Sequence, residues 1–152
     1  VKLEGGKEIK QIIKCLIKNK INVMGHIGLL PQKVQSKKNY KIKGINSAEK
    51  NQILNDLKNI QETGVFAIVL EAVTNETAKE VMKLSKVPII GIGASKKCDG
   101  QILVLEDMLG MFKKVPKFVK KYSNLRGYIK KAVKEYAKDI KNEKFPTKNN
   151  IY

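Results

Sequence analysis

The sequence is poor in the residues that build disulfide scaffolds, zinc sites and histidine-rich metal centres. Its two cysteines, Cys15 and Cys98, are far apart and lack a CxxC spacing, and His26 is its only histidine. These shortages argue against a disulfide scaffold and a zinc site, and they leave any Ser-His-Asp arrangement dependent on His26. Both cysteines are therefore predicted to be buried or semi-buried free thiols.

Long apolar runs are also missing. No stretch approaches the roughly 18 to 20 apolar residues that span a bilayer. The opening Val1-Lys2-Leu3-Glu4 places charges where a signal peptide has an apolar segment. With 42% apolar residues over 152 positions, the chain suits a soluble globular protein with its own core. We therefore predict a cytoplasmic protein without a membrane partner.

Arginine is nearly absent from a strongly basic chain. The 31 Lys and Arg residues oppose 14 Asp and Glu residues, which gives a formal net charge of +17. Such an excess suggests nucleic-acid binding, because a basic surface gains affinity by counterion release. However, Arg126 is the only arginine, whereas bidentate phosphate and guanine contacts favour the planar guanidinium. Lysines occur in almost every segment, so we expect no specific nucleic-acid partner and keep a basic nucleic-acid-binding domain as the least favoured hypothesis.

Short β-rich runs alternate with amphipathic stretches, which is typical of parallel β/α units. Strands are predicted at 2–4, 21–24, 65–70, 89–92 and 101–105. Helices are predicted over 9–17, from Asn46 or Ser47 to a stop at Gly64, over 77–86 and over 125–140. The run 65–70 is apolar at every position, which predicts a strand buried on both faces.

These five strands are compatible with a small open doubly wound sheet or with five-eighths of a (β/α)8 barrel. A complete barrel takes about 250 residues, more than this chain supplies. We expect residues 1–152 to form a single domain that ends in a long helix. The polar residues 142–152, which include Pro146, are expected to form an irregular and partly mobile tail.

Three charged residues stand within or directly after predicted strands. Lys2 and Glu4 are two apart in a strand, so their side chains project to the same side, although most Lys-x-Glu pairs are ordinary surface charges. Glu71 follows six apolar residues, where a carboxylate is costly to hold without a function or a partner. The alternative for Glu71 is a strand-terminal glutamate that emerges into solvent.

The remaining polar and glycine motifs are weaker signals. His26 lies in a glycine-rich segment that is predicted to turn, where a histidine often makes only local hydrogen bonds. Gly91 and Gly93 lack the third glycine of a dinucleotide fingerprint, so they are expected to allow close approach of a ligand to the backbone. Asp99, followed by glycine, predicts a structural turn into the last strand.

The order of several sequence blocks resembles the ketopantoate hydroxymethyltransferase family, and the resemblance covers the chain from Val1 to about Tyr152. It corresponds to the later part of the family's polypeptide. The blocks are Lys2-Leu3-Glu4-Gly5-Gly6, Val23-Met24-Gly25-His26-Ile27-Gly28-Leu29-Leu30-Pro31-Gln32, Leu70-Glu71, Pro88-Ile89-Ile90-Gly91-Ile92-Gly93-Ala94, Cys98-Asp99-Gly100-Gln101-Ile102-Leu103-Val104 and Pro116-Lys117-Phe118-Val119-Lys120.

The resemblance implies a TIM (β/α)8 barrel, with this chain covering about its last five β/α units. It also implies a magnesium-dependent enzyme of pantothenate and coenzyme A synthesis, which transfers a hydroxymethyl group from methylenetetrahydrofolate to 3-methyl-2-oxobutanoate and yields ketopantoate. By the same resemblance Glu71 is the catalytic proton acceptor, Lys2 and His26 bind substrate, and Glu4 binds Mg²⁺. The family forms large homo-oligomers.

The resemblance also raises an expectation about the preceding segment. The family's two metal-binding aspartates and a substrate-binding serine precede the position of Val1, so we expect an N-terminal segment in the same or a companion chain. We predict that this chain alone is inactive or nearly so. The alternatives are an inactive fragment or oligomerisation module, and a related metal-dependent barrel acting on another 2-oxo acid.

A few positions depart from the family pattern. Leu30, Ala72, Ser95 and Glu106 replace a usual Thr, Cys, Gly and His. These changes bear on rate and pocket shape, because none of them removes a residue to which the resemblance gives a role.

Overall fold

The computed structural model describes residues 1–34 and 40–152. The chain divides into two compact units, Val1–Ile102 and Leu103–Tyr152. The first unit contains a five-stranded parallel sheet with helices, and the second is helical with irregular connections. Within the described residues no helix has the length and apolar character needed to cross a membrane.

The elements of the first unit alternate between strand and helix. They are β1 (Lys2–Glu4), α1 (Lys10–Lys18), β2 (Met24–Gly28), α2 (Ser47–Gln61), β3 (Ala67–Glu71), α3 (Asn75–Leu84), β4 (Ile89–Ile92) and β5 (Gly100–Gln101), with 3-10 turns at Lys7–Ile9 and Pro31–Lys33. The second unit contains α4 (Leu105–Met108), α5 (Leu125–Lys141) and a 3-10 turn at Lys148–Asn150.

The strands lie in chain order, β1-β2-β3-β4-β5, and each neighbouring pair is parallel. A doubly wound sheet reverses its strand order at a switch point. The five described strands show no such reversal, so the doubly wound alternative does not describe this sheet. The fold is an α/β arrangement of consecutive parallel units.

The apolar core of the first unit is formed by one face of the sheet and the three long helices. Alternation along β3 places Ile68 and Leu70 in this cluster, to which each helix contributes aliphatic side chains. The helical members are Ile13 of α1, Ile53, Leu57 and Ile60 of α2, and Ala78 and Val81 of α3. All five residues of β3 are buried, as predicted for a strand covered on both faces.

Helix α2 shows how the local sequence sets the element bounds. The Asn46 side chain accepts a hydrogen bond of 2.9 Å from the Glu49 backbone N–H, which confirms the predicted N-cap. Gly64, at φ +92°, follows the end of the helix, and β3 begins three residues later. The predicted bounds of β1 and β4 are also confirmed.

Three predicted strands differ from the structure. The strand predicted at 65–70 begins at Ala67 and includes Glu71, and Phe66, which is 53% exposed, lies outside it. The strand predicted at 21–24 begins only at Met24 and continues to Gly28. Gly25 lies within the strand rather than in a turn, and it allows α2 to approach closely, because a Cβ there would lie 2.6 Å from the Ile60 side chain. The strand predicted at 101–105 is two residues long, and Leu105 begins α4. Glu106 and Asp107 occupy the first turn of α4, where a helix favours acidic side chains.

In the second unit, α5 confirms the predicted long amphipathic helix. The Asn124 side chain caps it by accepting a hydrogen bond of 3.1 Å from the Gly127 N–H. None of its residues is buried, and several apolar side chains are well exposed, namely Tyr128, Ile129, Val133, Tyr136 and Ile140. The Tyr136 and Phe145 rings pack edge to face at 5.5 Å. Mobility of the tail stays a prediction.

Both cysteines are free thiols, as expected, but the predicted burial is confirmed for only one of them. Cys15 lies exposed on α1, whereas Cys98 is buried. Cys98 packs so closely against β4 that a Cβ on Gly91 would approach its sulfur to 2.9 Å. Gly91 therefore makes room for a side chain of this chain, rather than for the ligand that was expected there.

Candidate active site

The strand register brings the four predicted site residues to one face of the sheet. Glu4 of β1 pairs with His26 of β2, and His26 pairs with Val69 of β3. Residues paired in register share a face, as do residues two apart in one strand. Lys2 and Glu71 therefore project to the same side as Glu4 and His26, which is the side opposite the helices.

The His26 imidazole lies at the centre of this cluster. Its side chain is 1% exposed, and its Nδ1 is 3.0 Å from the Lys2 Nζ. An ammonium group donates hydrogen bonds and accepts none, so Nδ1 is the acceptor and the proton of the neutral ring resides on Nε2. The His26 tautomer is thus assigned from its lysine partner.

The Glu71 carboxylate approaches the other side of the ring. Its Oε2 is 3.2 Å from His26 Nε2, yet the contact lacks hydrogen-bond geometry, so Nε2 is without a hydrogen-bond partner among the described residues. A buried unpaired donor carries a desolvation cost on the order of 1–3 kcal/mol.

Glu4 is held by a backbone amide as well as by its charged neighbours. Its side chain is 7% exposed, with Oε1 3.9 Å from the Lys2 Nζ and 3.7 Å from His26 Nδ1. The Gln32 N–H donates to Glu4 Oε2 at 3.0 Å. Sequence reasoning gave Gln32 no role, because a backbone donor leaves no trace in residue type beyond the preceding Pro31, which favours the first position of a helical turn.

The backbone around Glu71 is fixed by three neighbouring segments. The Leu29 N–H donates to the Glu71 carbonyl at 2.9 Å, the Ala72 N–H donates to the Ile92 carbonyl at 2.8 Å, and the Lys43 N–H donates to the Ala72 carbonyl at 2.8 Å. Ala72 has a φ of +48°, a left-handed conformation that residues with a Cβ rarely adopt. The chain therefore turns sharply directly after the carboxylate.

A cavity of about 580 Å³ adjoins the turns that follow β1 and β2, and Gly6, Gly28, Lys33 and Asp56 are among its lining residues. Burial raises the pKa of the Asp56 carboxyl, and a hydrogen bond from Gln52 opposes this shift. The cavity does not include the four clustered residues. We assign the candidate site to the cluster, because that is where complementary functional groups converge.

The other singled-out residues have structural contacts. The Ile89 N–H donates to Asp99 Oδ2 at 2.8 Å, which ties the turn before β5 to the start of β4. The Ser95 hydroxyl donates to Asn75 Oδ1 at 2.9 Å. These contacts account for Asp99 and Ser95 without a ligand.

The described residues contain no group of three His, Cys, Asp or Glu side chains arranged to hold a metal ion. Magnesium, however, is commonly held by one or two carboxylates together with waters and substrate oxygens. Glu4 is a largely buried carboxylate beside Lys2 and His26, and its oxygens are suited to serve as one such ligand.

The fold and the cluster together define a class. The chain is a parallel α/β protein in which two carboxylates, an imidazole and an ammonium group converge on one face, near the carboxyl ends of three adjacent strands. Such strand ends are the usual location of active sites in α/β proteins.

Comparison with known proteins identifies the family to which the chain belongs. The family described as ketopantoate hydroxymethyltransferase matches residues 1–148, and the chain belongs to this family. It is 53% identical over 152 residues to a 3-methyl-2-oxobutanoate hydroxymethyltransferase of Pelagibacter ubique, with 100% of this chain and 58% of the relative covered. It is 49% identical over 152 residues to 3-methyl-2-oxobutanoate hydroxymethyltransferase 2 of Zymomonas mobilis, with 100% and 56% covered.

A third relative, a 3-methyl-2-oxobutanoate hydroxymethyltransferase of Nitratiruptor sp., is 48% identical over 153 residues, with 100% of this chain and 58% of the relative covered. The chain thus spans a little over half the length of these curated relatives.

Proposed function

We propose that this chain is the later portion of an enzyme that transfers a hydroxymethyl group from methylenetetrahydrofolate to 3-methyl-2-oxobutanoate, giving ketopantoate for pantothenate synthesis. The observation that carries the proposal is the convergence of Lys2, Glu4 and Glu71 on one face of the sheet, around His26. The shared family and the names of the relatives support the choice of reaction.

Glu71 is the general base in this proposal. A new carbon–carbon bond at C3 of the keto acid requires removal of the C3 proton, and a positioned carboxylate can accept it. The Glu71 side chain is 12% exposed and its backbone is held on both sides of the residue, so the carboxylate has a small range of positions. A restricted base lowers the entropic cost of reaching the reactive geometry.

Lys2 is the substrate-binding cation. Its side chain is 47% exposed while its ammonium contacts the buried His26 and Glu4, so it reaches from the cluster towards solvent. An ammonium group in this position can pair with the carboxylate of an incoming 2-oxo acid. By the family resemblance, His26 belongs to the same substrate pocket.

Glu4 is the proposed Mg²⁺ ligand supplied by this chain. Bound magnesium would polarise the keto acid and so acidify its C3 proton. The Gln32 N–H and the Lys2 ammonium hold Glu4 in place for this role. Since Glu4 alone is too few ligands for a stable site, we propose that a preceding segment, in the same or a companion chain, supplies the others, and that the 152-residue chain by itself forms no ketopantoate.

The same proposal extends to the fold and assembly. The consecutive parallel order suits one arc of a (β/α)8 barrel, covering about five of its units. Within the described sheet, β1 and β5 each have one neighbour, so their outer edges are free to pair with further strands. We further propose that the protein is cytoplasmic and that it forms a homo-oligomer, of which the second is implied by the family resemblance.

The proposal is tested in a chimera in which this chain replaces the matching portion of the Pelagibacter ubique relative. Exchange of the C3 proton for deuterium, measured by proton NMR with magnesium and keto acid but without folate, isolates the proton-transfer step. Glu71→Gln should lower the exchange rate by a factor of about 10² or more. Glu76→Gln, at an exposed position in the first turn of α3, is the matched control and should leave the rate unchanged.

An exchange rate in Glu71→Gln within twofold of the unsubstituted chimera would overturn the assignment of the base. Ketopantoate formation by the 152-residue chain with no added segment would overturn the predicted need for one. A chimera that folds and binds magnesium but forms no ketopantoate would overturn the proposed reaction.

A further inference from the structure

We infer that His26 is a positioning residue: its imidazole, protonated on Nε2, bridges Lys2 and Glu71 and orients the Glu71 carboxylate for proton abstraction. The inference rests on the proposed role of Glu71 and deepens it. In this inference His26 acts on the reaction through Lys2 and Glu71, whereas the family resemblance implies that it contacts the substrate directly.

Burial is the first argument. The His26 side chain is 1% exposed in the described residues, and any further segment can only cover it more. A substrate would therefore meet Lys2, which is about half exposed, before it met the imidazole. A ring enclosed in this way influences the reaction through the groups that it touches.

The direction of hydrogen bonding is the second argument. The Lys2 ammonium donates to Nδ1 over 3.0 Å, which leaves Nε2 with the ring proton. On that side of the ring, Glu71 Oε2 lies 3.2 Å from Nε2. A hydrogen bond to a carboxylate is stronger than one between neutral groups, so we assign Glu71 Oε2 as the acceptor for the unpaired Nε2–H.

Lys2 sets the tautomer through its position on the ring. The Lys2 ammonium stands 3.0 Å from Nδ1 and 3.9 Å from Glu4 Oε1, so it occupies the acceptor site of the ring and neutralises the carboxylate. Removal of the ammonium should move the ring proton towards Nδ1, away from Glu71.

The tautomer can be measured directly, because His26 is the only histidine and its imidazole gives one unambiguous pair of ring nitrogen signals. In the 152-residue chain labelled with ¹⁵N-histidine, we expect the Nε2–H form to predominate at mildly alkaline pH. In Lys2→Met we expect a new Nδ1–H population. A predominant Nδ1–H form in the unsubstituted chain, or the same tautomer in both proteins, would overturn the inference.

The consequence for proton transfer is measured in the chimera. His26→Phe keeps a ring of similar shape but no donor, and it should lower kcat for C3 exchange roughly 10- to 100-fold with a smaller change in KM for the keto acid. His26→Gln keeps an N–H donor and should recover at least part of that loss. Equal losses in both variants would overturn the inference, and so would a loss confined to KM.

The two levels of proposal fail separately. If Glu71→Gln leaves exchange unchanged, the proposed base is wrong, whatever the histidine signals show. If Glu71→Gln abolishes exchange while His26→Phe exchanges at the original rate, the base stands and the positioning role of His26 is overturned.

Discussion

The two units of the chain use the same kinds of residue to different ends. In Val1–Ile102, aliphatic side chains from three helices and the sheet close into one buried cluster, and the charged site residues lie on the other face of the same sheet. In Leu103–Tyr152, the longest helix of the described chain, α5, has an equally clear apolar stripe but no buried residue. An amphipathic pattern therefore predicts a helix reliably, whereas whether its apolar side is covered depends on what else is present.

The contrast is sharpest for two isoleucines. Ile68 in β3 is 0% exposed, whereas Ile129 in α5 is 43% exposed. We expect Ile68→Ala to lower the free energy of unfolding by about 2–5 kcal/mol, through lost burial and the cavity left behind. Ile129→Ala should cost less than about 0.5 kcal/mol, as is usual for exposed positions. Denaturant titration of both variants measures the difference.

A cost above about 2 kcal/mol for Ile129→Ala would break the comparison, since it would mean that α5 is covered in solution. Repeating the titration over a range of protein concentrations would then distinguish cover by a second copy, which makes stability concentration-dependent, from cover within one chain.

Strain at the site gives the second test. Ala72 has a φ of +48° and is clamped through both its N–H and its carbonyl. Ala72→Val should destabilise the first unit by about 1–3 kcal/mol, because a β-branched residue is poorly accommodated in the left-handed region. Ala72→Gly should be neutral or stabilising, because glycine adopts this conformation freely.

Thermal unfolding of the two Ala72 variants provides the measurement. Equal destabilisation by glycine and valine would show that the methyl group, rather than the backbone conformation, is what this position requires.

The helix caps form a matched pair across the two units. Asn46 and Asn124 each accept a hydrogen bond from the backbone N–H three residues later. Asn46→Ala should lower the free energy of global unfolding by about 1 kcal/mol. Asn124→Ala should instead increase amide hydrogen exchange at the start of α5, with little global effect, because a helix without buried residues opens locally.

Loss of global stability in Asn124→Ala comparable to that in Asn46→Ala would contradict this prediction. It would show that α5 unfolds together with the core of the first unit.

The smallest effect concerns pH. Burial raises the pKa of Asp56 in the folded state, so the folded form binds a proton more tightly than the unfolded form does. Stability is therefore lost as pH rises from the unfolded pKa of the carboxyl through its folded pKa. Asp56→Asn should raise the free energy of unfolding at neutral pH by less than about 1 kcal/mol, given the partial exposure of the site, and the gain should vanish in acid. Melting curves across that pH range test the sign.

The parts of the fold that the sequence predicted best are those in which one signal dominates. The apolar run before Glu71 has no competing interpretation, and the Asn46 cap is followed by a regular aliphatic stripe. In β2 two signals competed: its glycines suggested a turn, but Gly25 is needed for the approach of Ile60 from a helix more than thirty residues later. A contact of that kind cannot be read from neighbouring residues.

The site shows the same division. Glu4 and Glu71 stand at the carboxyl ends of β1 and β3, and Lys2 lies two residues before Glu4. Parallel pairing of both strands with β2 places these three side chains on one face. The central position of His26 was missed because it depends on the true start of β2. The Gln32 amide was missed because its contact with Glu4 arises from the geometry of a turn.

The unequal placement of the two thiols has a practical consequence. A folded chain presents only Cys15 to an alkylating reagent, since Cys98 is enclosed where β4 meets the segment leading to β5. One adduct, on Cys15, therefore indicates that the sheet is intact around Cys98. A second adduct, on Cys98, indicates that this edge of the sheet has opened. Alkylation of Cys98, followed by mass spectrometry, thus measures local opening at one edge of the sheet without any substitution.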